Sequence, residues 1–433
     1  MLHENLTVNE KNHLAFAGLD TVELAEKYGT PLMLVDEDRI TARAKTYVDA
    51  MHDYFGHGSI PLYASKALSY AGIYKTVEKA GMCVDVVSVG EIYTALKAGF
   101  NSEKMFFHGN NKTDKDIRFA MENNIGYFVM DSIEEIIAIN DIAGSMGRKQ
   151  KAILRVTPGI DPHTNKKIAT GQVDSKFGTA IETGQAADVV KLVLGMENIE
   201  FLGFHCHIGS QVFDEVCFCD GADIMLAFMA QMRDMYGYTA QILNLGGGFG
   251  VRYVESDPHL DIRNTIRLIA EHIDKKCNEL NFPYPQILME PGRSIVADSG
   301  ITLYTIGTVK SITGYKNYVS VDGGMTDNPR YTLYESKYTV VNASKAGNTP
   351  NFNCTLAGCC CESGDMLGEN LNIADPKRGD ILSVFVTGAY NYSMASNYNR
   401  VARPCVVAVS NGKDRVVVRR ETLDDLVSCD VID

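Results

Sequence analysis

Residues 242–248 read "ILNLGGG", a short apolar run that ends abruptly in three glycines. A nearly continuous apolar run without alternation is typical of a strand buried on both faces of a parallel sheet. Seven other runs of this kind are spaced along the chain, and most are followed by a segment with helical periodicity. They are "IPLYAS" from Ile60, "CVDVVS" from Cys83, "MFFHG" from Met105, "YFVMD" from Tyr127, "AILRVTP" from Ala152, "FLGFHCHIGS" from Phe201 and "QILMEPG" from Gln286.

Eight strand–helix units over about 240 residues predict an α/β fold, a (β/α)8 barrel of the TIM type, which we place in residues 41–295. A doubly wound sheet is the alternative, because counting strands does not separate the two folds. After about residue 296 the strands alternate or are β-branched and are separated by Gly and Asn turns, which predicts an antiparallel β domain. A strand at "PLMLVD", residues 31–36, is expected to join that domain, so its predicted extent is 1–40 plus 296–433.

The composition excludes several classes of function. The 433 residues include 54 acidic and 41 basic side chains, and the resulting net charge of −13 is unfavourable for binding nucleic acid or an anionic membrane. The N-terminus lacks the apolar core of a signal peptide, and no run reaches the roughly 18 apolar residues of a membrane span. We therefore expect a soluble, cytoplasmic protein. The 11 cysteines are irregularly spaced, which predicts reduced thiols and no metal site.

Two glycine-containing loops stand where a barrel carries its chemistry, at the C-terminal ends of the strands. Gly246, Gly247 and Gly248 follow the seventh strand, and "EPGR", which supplies Gly292 and Arg293, follows the eighth. Glycine lets backbone N–H groups approach an anion closely, and barrels often bind phosphate with these two loops. A simple glycine turn is the alternative for the first loop alone, but the pair predicts a phosphate site.

Lys66 closes the first predicted strand, where a lysine is poorly placed as a solubilising charge. It is either a snorkelling amine or ion-pair partner, or a Schiff-base lysine. A phosphate site and a Schiff-base lysine in one barrel mouth predict pyridoxal 5'-phosphate (PLP) as cofactor. Glu290 ends the eighth strand and would keep the pyridine nitrogen protonated, which makes the ring a better electron sink.

The sixth strand ends in "HCH". His205 and His207 are two residues apart, so on a continuing strand they would share one face. A metal site would need a third ligand, and no such element lies nearby in the sequence. Stacking of one imidazole on the cofactor ring is favoured, with metal binding and core packing as alternatives. His108 and Arg155 close the third and fifth strands without an assigned role.

Ten segments together identify a family. They are "YASKA", "FHGNNKT", "PGIDPHTNKKIATGQVDSKFG", "GFHCHIGSQ", "LNLGGGFG", "EPGRSIVA", "DGGMTDNPRYTLY", "CESGD", "TGAYNYSMASNYN" and "RRETLDDL". The chain resembles the diaminopimelate decarboxylases, PLP enzymes of the alanine-racemase-like barrel class. The motifs occur in the family's order over residues 30–425. The chain departs from the family in the extra cysteines of "GCCCESG" and in the stretch after Asn399.

For the cofactor, the resemblance implies that Lys66 forms the Schiff base, His207 stacks on the pyridine ring and Glu290 pairs with the ring nitrogen. Lys66, Cys361, His207 and Glu290 are the expected catalytic residues. The other residues expected to bind the cofactor are Ser210, Gly247, Gly248, Gly292, Arg293 and Tyr390.

For the substrate, the resemblance implies that Arg293, Arg330 and Tyr334 hold the far carboxylate, with Tyr390 beside it. Cys361 is the expected proton donor, and Glu362 is expected to bind the distal ammonium. Both would come from the second subunit of a homodimer with shared active sites, which the β domain helps to form.

The implied reaction is the decarboxylation of meso-2,6-diaminopimelate to L-lysine and CO2, the last step of lysine biosynthesis. Arginine contacts can hold the carboxylate that is spared, which substrates without a distal carboxylate do not require. The alternatives are a related decarboxylase of a D- or L-diamino acid (lysine, ornithine, arginine or carboxynorspermidine), an amino-acid racemase, or a non-enzymatic PLP-binding protein.

Overall fold

A computed structural model describes residues 1–56, 58–159 and 175–432. The chain divides into two compact units. The barrel unit contains Ala42–Gly250 and His259–Ser294, and the β unit contains Met1–Thr41, Val251–Pro258 and Ile295–Asp433. We describe the two units separately.

The segment Val251–Pro258 belongs to the β unit, whereas the predicted boundaries of 41–295 placed it with the barrel. The hydroxyl of Thr339 donates to the backbone oxygen of Tyr253 at 3.0 Å. The rings of Tyr253 and Tyr338 also meet edge to face, with centroids 5.4 Å apart. The segment follows the seventh strand and shows neither helical periodicity nor strand alternation. The sequence therefore could not predict which unit it packs in.

Among the described residues of the barrel unit, eight parallel strands form a closed ring. Each strand pairs with the next along the chain, and the first pairs with the eighth. The predicted TIM-type barrel is confirmed, since a doubly wound sheet would have two open edges. The strands are Ile60–Ala64, Cys83–Val86, Met105–Phe107, Tyr127–Met130, Gln150–Thr157, Ile199–His205, Ile242–Asn244 and Gln286–Met289.

Helices follow the strands, as the periodicity predicts. The helix Ile133–Ser145 begins after Ser132, whose hydroxyl accepts from the backbone N–H of Glu135 at 3.3 Å and so caps the helix. None of the helices in the described ranges is long and apolar enough to cross a membrane. The helices are Glu37–Tyr54, Ala71–Lys79, Val89–Lys97, Asp114–Glu122, Ile133–Ser145, Gln185–Leu194, Glu215–Tyr236, Ile262–Glu279 and the short Arg293–Val296.

Apolar side chains fill the inside of the barrel. Each strand contributes one member of a single buried cluster, none more than 8% exposed. A barrel interior packed in this way is a core and not a pore, so a binding site has to lie above it, where the strands end. The members of the cluster are Leu62, Cys83, Phe106, Val129, Ile153, Leu202, Ile242 and Leu288.

The β unit is built on a mixed sheet that is mostly antiparallel. The predicted N-terminal strand is confirmed, because Leu32–Asp36 lies between two strands from the other end of the chain. It pairs antiparallel with Gly300–Ile312 but parallel with Cys405–Ser410. The other strands of this sheet are Lys316–Val321, Val340–Asn342, Phe352–Ala357, Met366–Ile373, Ile381–Phe385 and Lys413–Val418. A separate small sheet contains Leu6–Val8, Leu14–Phe16 and Leu19–Asp20. The helices of the unit are Thr21–Tyr28, Arg330–Tyr334 and Leu423–Val427.

A second parallel pairing joins Lys316–Val321 to Phe352–Ala357. The antiparallel prediction therefore holds for most of this unit but not for all of it. Parallel neighbours require a long crossover, and both parallel pairs have one, since long stretches of chain separate their members. The alternation of side chains along a strand is the same in both kinds of pairing, so the sequence could not distinguish them.

Candidate active site

The mouth of the barrel collects polar side chains from the ends of different strands. The strands are parallel, so their C-terminal ends meet at one rim. The first, second, third, sixth, seventh and eighth strands, with the residues just after them, supply Lys66, Asp85, His108, His205, Asn244 and Glu290.

Lys66 forms an ion pair with Asp85. It lies in a short 3-10 turn, Ser65–Ala67, directly after the first strand. Its Nζ donates to Oδ2 of Asp85 at 3.2 Å. The Asp85 side chain is completely buried, whereas that of Lys66 is 42% exposed. A buried carboxylate thus fixes an amine that still faces outward from the rim.

Glu290 is surrounded by three side chains. Asn244 Nδ2 donates to Oε1 at 2.7 Å, and His205 Nε2 is hydrogen-bonded to Oε2 at 3.2 Å. His108 Nε2 lies 2.9 Å from Oε1, but the direction of its N–H misses that oxygen, so this is a close electrostatic contact. Ligand atoms of His108, His205 and Glu290 lie within 4.8 Å of one another, a spacing that could also hold a metal ion.

The charges around Glu290 favour its ionised form. Burial by itself raises the pKa of this carboxyl group, but the neighbouring His108 and His205 outweigh it and hold the pKa well below its usual range. Burial lowers the pKa of His205 to about 4, so that imidazole is neutral at pH 7. The site therefore presents a buried carboxylate anion to whatever lies above it.

His207 lies beyond the end of the sixth strand, which stops at His205. The prediction that both imidazoles share a strand face is therefore wrong: the strand ends between them, and they have different partners. Nδ1 of His207 accepts from the backbone N–H of Gly247 at 3.3 Å. Burial lowers the pKa of His207, and the charges of Lys66 and Arg155 lower it further. The ring is thus neutral, as stacking on an aromatic cofactor permits.

The glycine loop is in close contact with neighbouring backbone. A Cβ on Gly247 would lie 2.2 Å from the carbonyl oxygen of Glu290, and one on Gly248 would lie 2.4 Å from that of Gly209. Gly248 also has a φ of 115°, which other residues rarely adopt. Only glycine fits at these two positions, so the loop exposes backbone and not side chains to the rim.

Arg293 brings a buried positive charge to the same rim. Its Nη2 and Nε donate to the hydroxyl of Ser210 at 2.9 and 3.3 Å. A Cβ on Gly292 would lie 2.8 Å from Cβ of Ala64, so the "PGR" turn packs directly on the first strand. A guanidinium, a hydroxyl and glycine backbone together suit a phosphate group.

A second group of predicted residues lies in the β unit. Arg330 begins a short helix and is buried, with its Cζ 5.0 Å from the ring centroid of Tyr334 and 5.5 Å from that of Tyr390. Its Nε has no hydrogen-bond partner within the described ranges. A buried guanidinium with an unused donor is suited to an anionic ligand.

Cys361 and Glu362 lie on a tight loop of the β unit, residues 358–364. The carboxylate of Asp365 holds this loop, since Oδ2 accepts from the N–H of Cys360 and Oδ1 from that of Met325, each at 2.7 Å. The N–H of Cys361 donates to Oδ1 of Asn399 at 2.8 Å. Both predicted residues are exposed in the single chain.

Comparisons with known proteins identify the family of this chain. Residues 37–297 match the family described as "Pyridoxal-dependent decarboxylase, pyridoxal binding domain". The diaminopimelate decarboxylase of Bacillus subtilis is 44% identical over 99% of this chain and 98% of its own length. The chain belongs to the diaminopimelate decarboxylase family. Membership settles the class of enzyme: a PLP-dependent carboxy-lyase.

Solved structures of this family share the fold. A diaminopimelate decarboxylase from M. jannaschii in co-complex with L-lysine has a TM-score of 0.91 and 34% identity, with 100% of this chain and 99% of that chain covered. The enzyme from Helicobacter pylori, also complexed with L-lysine, has a TM-score of 0.84 and 31% identity, covering 94% and 98% of the two chains.

The barrel mouth fits the family's cofactor, pyridoxal 5'-phosphate. The cofactor has a phosphate, a pyridine nitrogen and an aldehyde, and the rim offers a matching group for each. The guanidinium of Arg293 and the glycine loop suit the phosphate, the ionised Glu290 suits a protonated nitrogen, and the amine of Lys66 suits the aldehyde.

The structure brings the predicted residues together in two groups. The barrel unit gathers Lys66, His207, Ser210, Gly247, Gly248, Glu290, Gly292 and Arg293, and the β unit gathers Arg330, Tyr334 and Tyr390, with Cys361 and Glu362 on their loop. Residues 160–174, within one of the family's motifs, lie outside the described residues.

Several residues of the site went unnoticed in the sequence or were left without a role. They are Asp85, His108, Asn244, Asp365 and Asn399. A signal existed for two of them: Asp85 and Asn244 are polar residues inside otherwise apolar strand runs, "CVDVVS" and "ILNLGGG". A buried polar residue in such a run needs a partner, and here the partners are functional groups.

Proposed function

We propose that this chain catalyses the PLP-dependent decarboxylation of meso-2,6-diaminopimelate to L-lysine and CO2, the last step of lysine biosynthesis. The observation that carries the reaction type is that one barrel mouth contains both the outward-facing amine of Lys66 and the buried, ionised carboxylate of Glu290. Diaminopimelate as substrate is supported by full-length similarity to relatives of that name.

Each group at the rim has a task toward the cofactor. Lys66 binds it covalently, Glu290 accepts a hydrogen bond from its ring nitrogen, and His207 packs against its ring. Its phosphate is bound by Arg293 and Ser210, together with Gly247, Gly248, Gly292 and Tyr390. When bound, PLP supplies an electron sink for the pair of electrons left on the α-carbon as CO2 departs.

A separate set of side chains recognises the end of the substrate that does not react. Arg330 and Arg293 bind the spared carboxylate, and Tyr334 and Tyr390 flank Arg330 and orient it. Glu362 binds the distal ammonium. The Sγ–H of Cys361 gives its proton to the α-carbon, forming the new C–H bond of lysine, and the thiol is then reprotonated from solvent.

Cys361 and Glu362 act in the active site of a partner subunit in our proposal. Their exposure in the single chain supports this assignment, because a proton donor must lie against the substrate when it works. The enzyme is accordingly a homodimer, which we place in the cytoplasm.

A direct assay tests the substrate. Purified protein with added PLP is given meso-diaminopimelate, and both released CO2 and L-lysine are measured. We expect equal amounts of the two products. Activity on D-ornithine, D-lysine, L-lysine, L-ornithine, L-arginine or carboxynorspermidine that exceeds activity on meso-diaminopimelate would refute the assignment, and interconversion of enantiomers without CO2 would indicate a racemase.

Lys66→Ala tests the anchor of the cofactor. We expect the variant to lose the visible absorbance of covalently bound PLP, because no other amine is proposed to form that bond. Lys104→Ala, which changes an exposed lysine of the same unit, is the matched control and should retain the colour. An unchanged spectrum in Lys66→Ala would mean that another residue holds the cofactor.

A further inference from the structure

The carboxylate of Glu290 is held by side chains from three different strands, although none of the three was assigned a role. Asn244, on the seventh strand, and His205, on the sixth, donate hydrogen bonds to its two oxygens, and His108, after the third, lies against Oε1. All four residues are buried, with relative exposures of 0% for Asn244, 1% for His205, 3% for His108 and 5% for Glu290.

The group has the geometry of a hydrogen-bonded carboxylate and not of a metal centre. In a metal site the lone pairs of the ligands point at one shared position. Here the Nε2 atoms of His108 and His205 lie 2.9 and 3.2 Å from the oxygens themselves. The amide of Asn244 also donates to Oε1 at 2.7 Å, and a metal ion offers nothing to such a donor.

The protonation of His205 follows from its contacts. The ring is neutral, since burial lowers its pKa to about 4. Its hydrogen must therefore be on Nε2 in order to donate to Glu290, while Nδ1 has no hydrogen-bond partner in the described part of the chain. The rings of His108 and His205 meet at 76°, so they approach Glu290 from different directions and fix the plane of its carboxylate.

We propose that Asn244, His205 and His108 are positioning residues that keep Glu290 ionised and in a single orientation, and thereby keep the pyridine nitrogen of the bound cofactor protonated. This inference rests on the proposed role of Glu290. An ionised carboxylate has about four lone-pair sites, so the two hydrogen bonds from Asn244 and His205 leave room for the ring N–H. Without such donors, burial would favour the neutral acid, which cannot stabilise a protonated pyridine.

The other charged or titratable groups around Glu290 come from several strands. Their combined effect on the pKa of Glu290 stays constant when a single donor to Glu290 is replaced. A shift in the protonation of the ring nitrogen can then be assigned to that donor. They are Asp85, whose Oδ1 lies 4.0 Å from His108 Nε2, together with Arg155, Cys206 and His207.

His205 gives the cleanest substitution. Asn244 also accepts from the N–H of Gly246 through its Oδ1 at 2.9 Å, so changing it would disturb the glycine loop as well. His205→Leu removes the donor at similar bulk, and His205→Gln retains a donating amide. Cys206→Ala is the matched control, because it perturbs the neighbouring buried residue without removing a donor to Glu290.

The test is a pH titration of the ring nitrogen by 15N NMR, with each variant reconstituted with 15N-labelled PLP. We expect the nitrogen of the unchanged protein and of Cys206→Ala to stay protonated. In His205→Leu the midpoint of deprotonation should fall by about one pH unit or more, a tenfold change in the proton equilibrium. His205→Gln should recover most of that shift, which a merely structural role of the ring would not produce.

An unshifted midpoint in His205→Leu, or equal shifts in His205→Leu and His205→Gln, would overturn the inference. A deprotonated nitrogen in the unchanged protein would overturn it too. If His205→Leu does not fold, His205→Met, which also lacks a donor, takes its place and is judged by the same criteria. The signal does not depend on turnover, so failure of the protein to release CO2 from diaminopimelate would refute the proposed substrate while leaving this result readable.

Discussion

At the scale of single residues, the three consecutive cysteines 359–361 differ in their surroundings. Burial raises the pKa of Cys360 to about 12, with Asp365 adding to the effect, and burial also raises the pKa of Cys359. Both are therefore protonated thiols at neutral pH. Cys361 is exposed, and its backbone N–H is held by Asn399. Cys359 is exposed as well and Cys360 is half-buried, so exposure alone does not single out Cys361 within the run.

Cys361→Ala tests whether this thiol is the proton donor. A positioned general acid contributes about 10²–10⁴-fold, so we expect kcat to fall by that order while the visible spectrum of bound PLP stays unchanged. Cys360→Ala and Cys359→Ala are matched controls within the same run and should retain most of the activity. A loss confined to Cys360→Ala would move the donor by one position.

Asp327 is a buried acid whose protonation is linked to folding. Burial raises its pKa to about 7, and its two oxygens accept from the hydroxyl of Tyr304 and the N–H of Gly324. The unfolded carboxyl ionises near pH 4, so between about pH 4 and 7 the folded state binds more protons than the unfolded state. The protein therefore loses stability as the pH rises through that window.

Asp327→Asn should remove this dependence, because the amide does not titrate and can still accept from Gly324. We expect the stability of the variant relative to the unchanged protein to rise by on the order of 1 kcal/mol per pH unit between pH 5 and 7. Denaturant unfolding at pH 5, 6 and 7 measures it. A difference that stays constant with pH would show that Asp327 is already ionised in the folded protein.

At the scale of elements, the loop 358–364 owes its shape to one carboxylate. Asp365 is buried, and a Cβ on Gly358 would lie 2.2 Å from its Oδ2, so the backbone packs directly on the charged group. The hydroxyl of Thr332 donates to the carbonyl oxygen of Gly364 at 3.0 Å, which joins the loop to the helix Arg330–Tyr334. The proposed proton donor, Cys361, and the arginine proposed to bind the carboxylate, Arg330, are thus on connected elements.

Asp365→Ala should loosen this loop without changing Cys361 and Glu362, the side chains to which we assign catalytic and binding roles. Two backbone N–H groups would lose charge-assisted partners, at about 1–3 kcal/mol for each group that stays buried and unpaired. We expect a lower melting temperature and a reduced kcat, with the spectrum of bound PLP preserved. Asp375→Ala, an exposed aspartate of the same unit, is the control and should be neutral. Equal kcat in the two variants would show that the loop does not need this anchor.

The elements themselves could largely be predicted, because burial on both faces leaves a continuous apolar run at each barrel strand. Their ends were harder to locate. "FLGFHCHIGS" looks like one strand through His207, but pairing stops at His205, where the neighbouring strand ends at Asn244. Pairing partners in the β unit were also hidden, since nothing local in "PLMLVD" indicates a parallel neighbour at Cys405–Ser410.

The sequence predicts those candidate site residues whose type is unusual for their position. It does not predict which side chains come into contact when the barrel closes. Lys66 and Glu290 stand out in the sequence because a charge at the end of a buried strand is unfavourable without a purpose. The contact between Asn244 and Glu290 depends on the stagger of the seventh and eighth strands. That stagger is set by packing around the whole barrel, which no single segment encodes.

At the scale of the whole molecule, the proposal requires two copies of the chain. The proposed cofactor groups other than Tyr390 lie in the barrel unit, and the proposed donor lies in the β unit on a loop exposed in the single chain. Closed two-fold dimers are the commonest oligomers, and they would place two such loops against two barrel mouths at once. Variants that each inactivate one of the two units, mixed in one sample, can test whether an active site combines residues of two chains.

Mixing Lys66→Ala with Cys361→Ala should restore activity that neither protein has alone. In a shared-site dimer, one of the two sites in a mixed pair has both an intact Lys66 and an intact Cys361. Half of randomly mixed dimers are of this kind, so we expect about a quarter of the unmodified activity. The subunits are exchanged in mild denaturant, and exchange is verified by mass-tagged chains. Mixing Lys66→Ala with a Lys66→Ala/Cys361→Ala double variant should restore nothing. Verified exchange without recovery in the first mixture would place Lys66 and Cys361 in the same chain's site, because a mixed dimer would then contain two sites that each lack one of them.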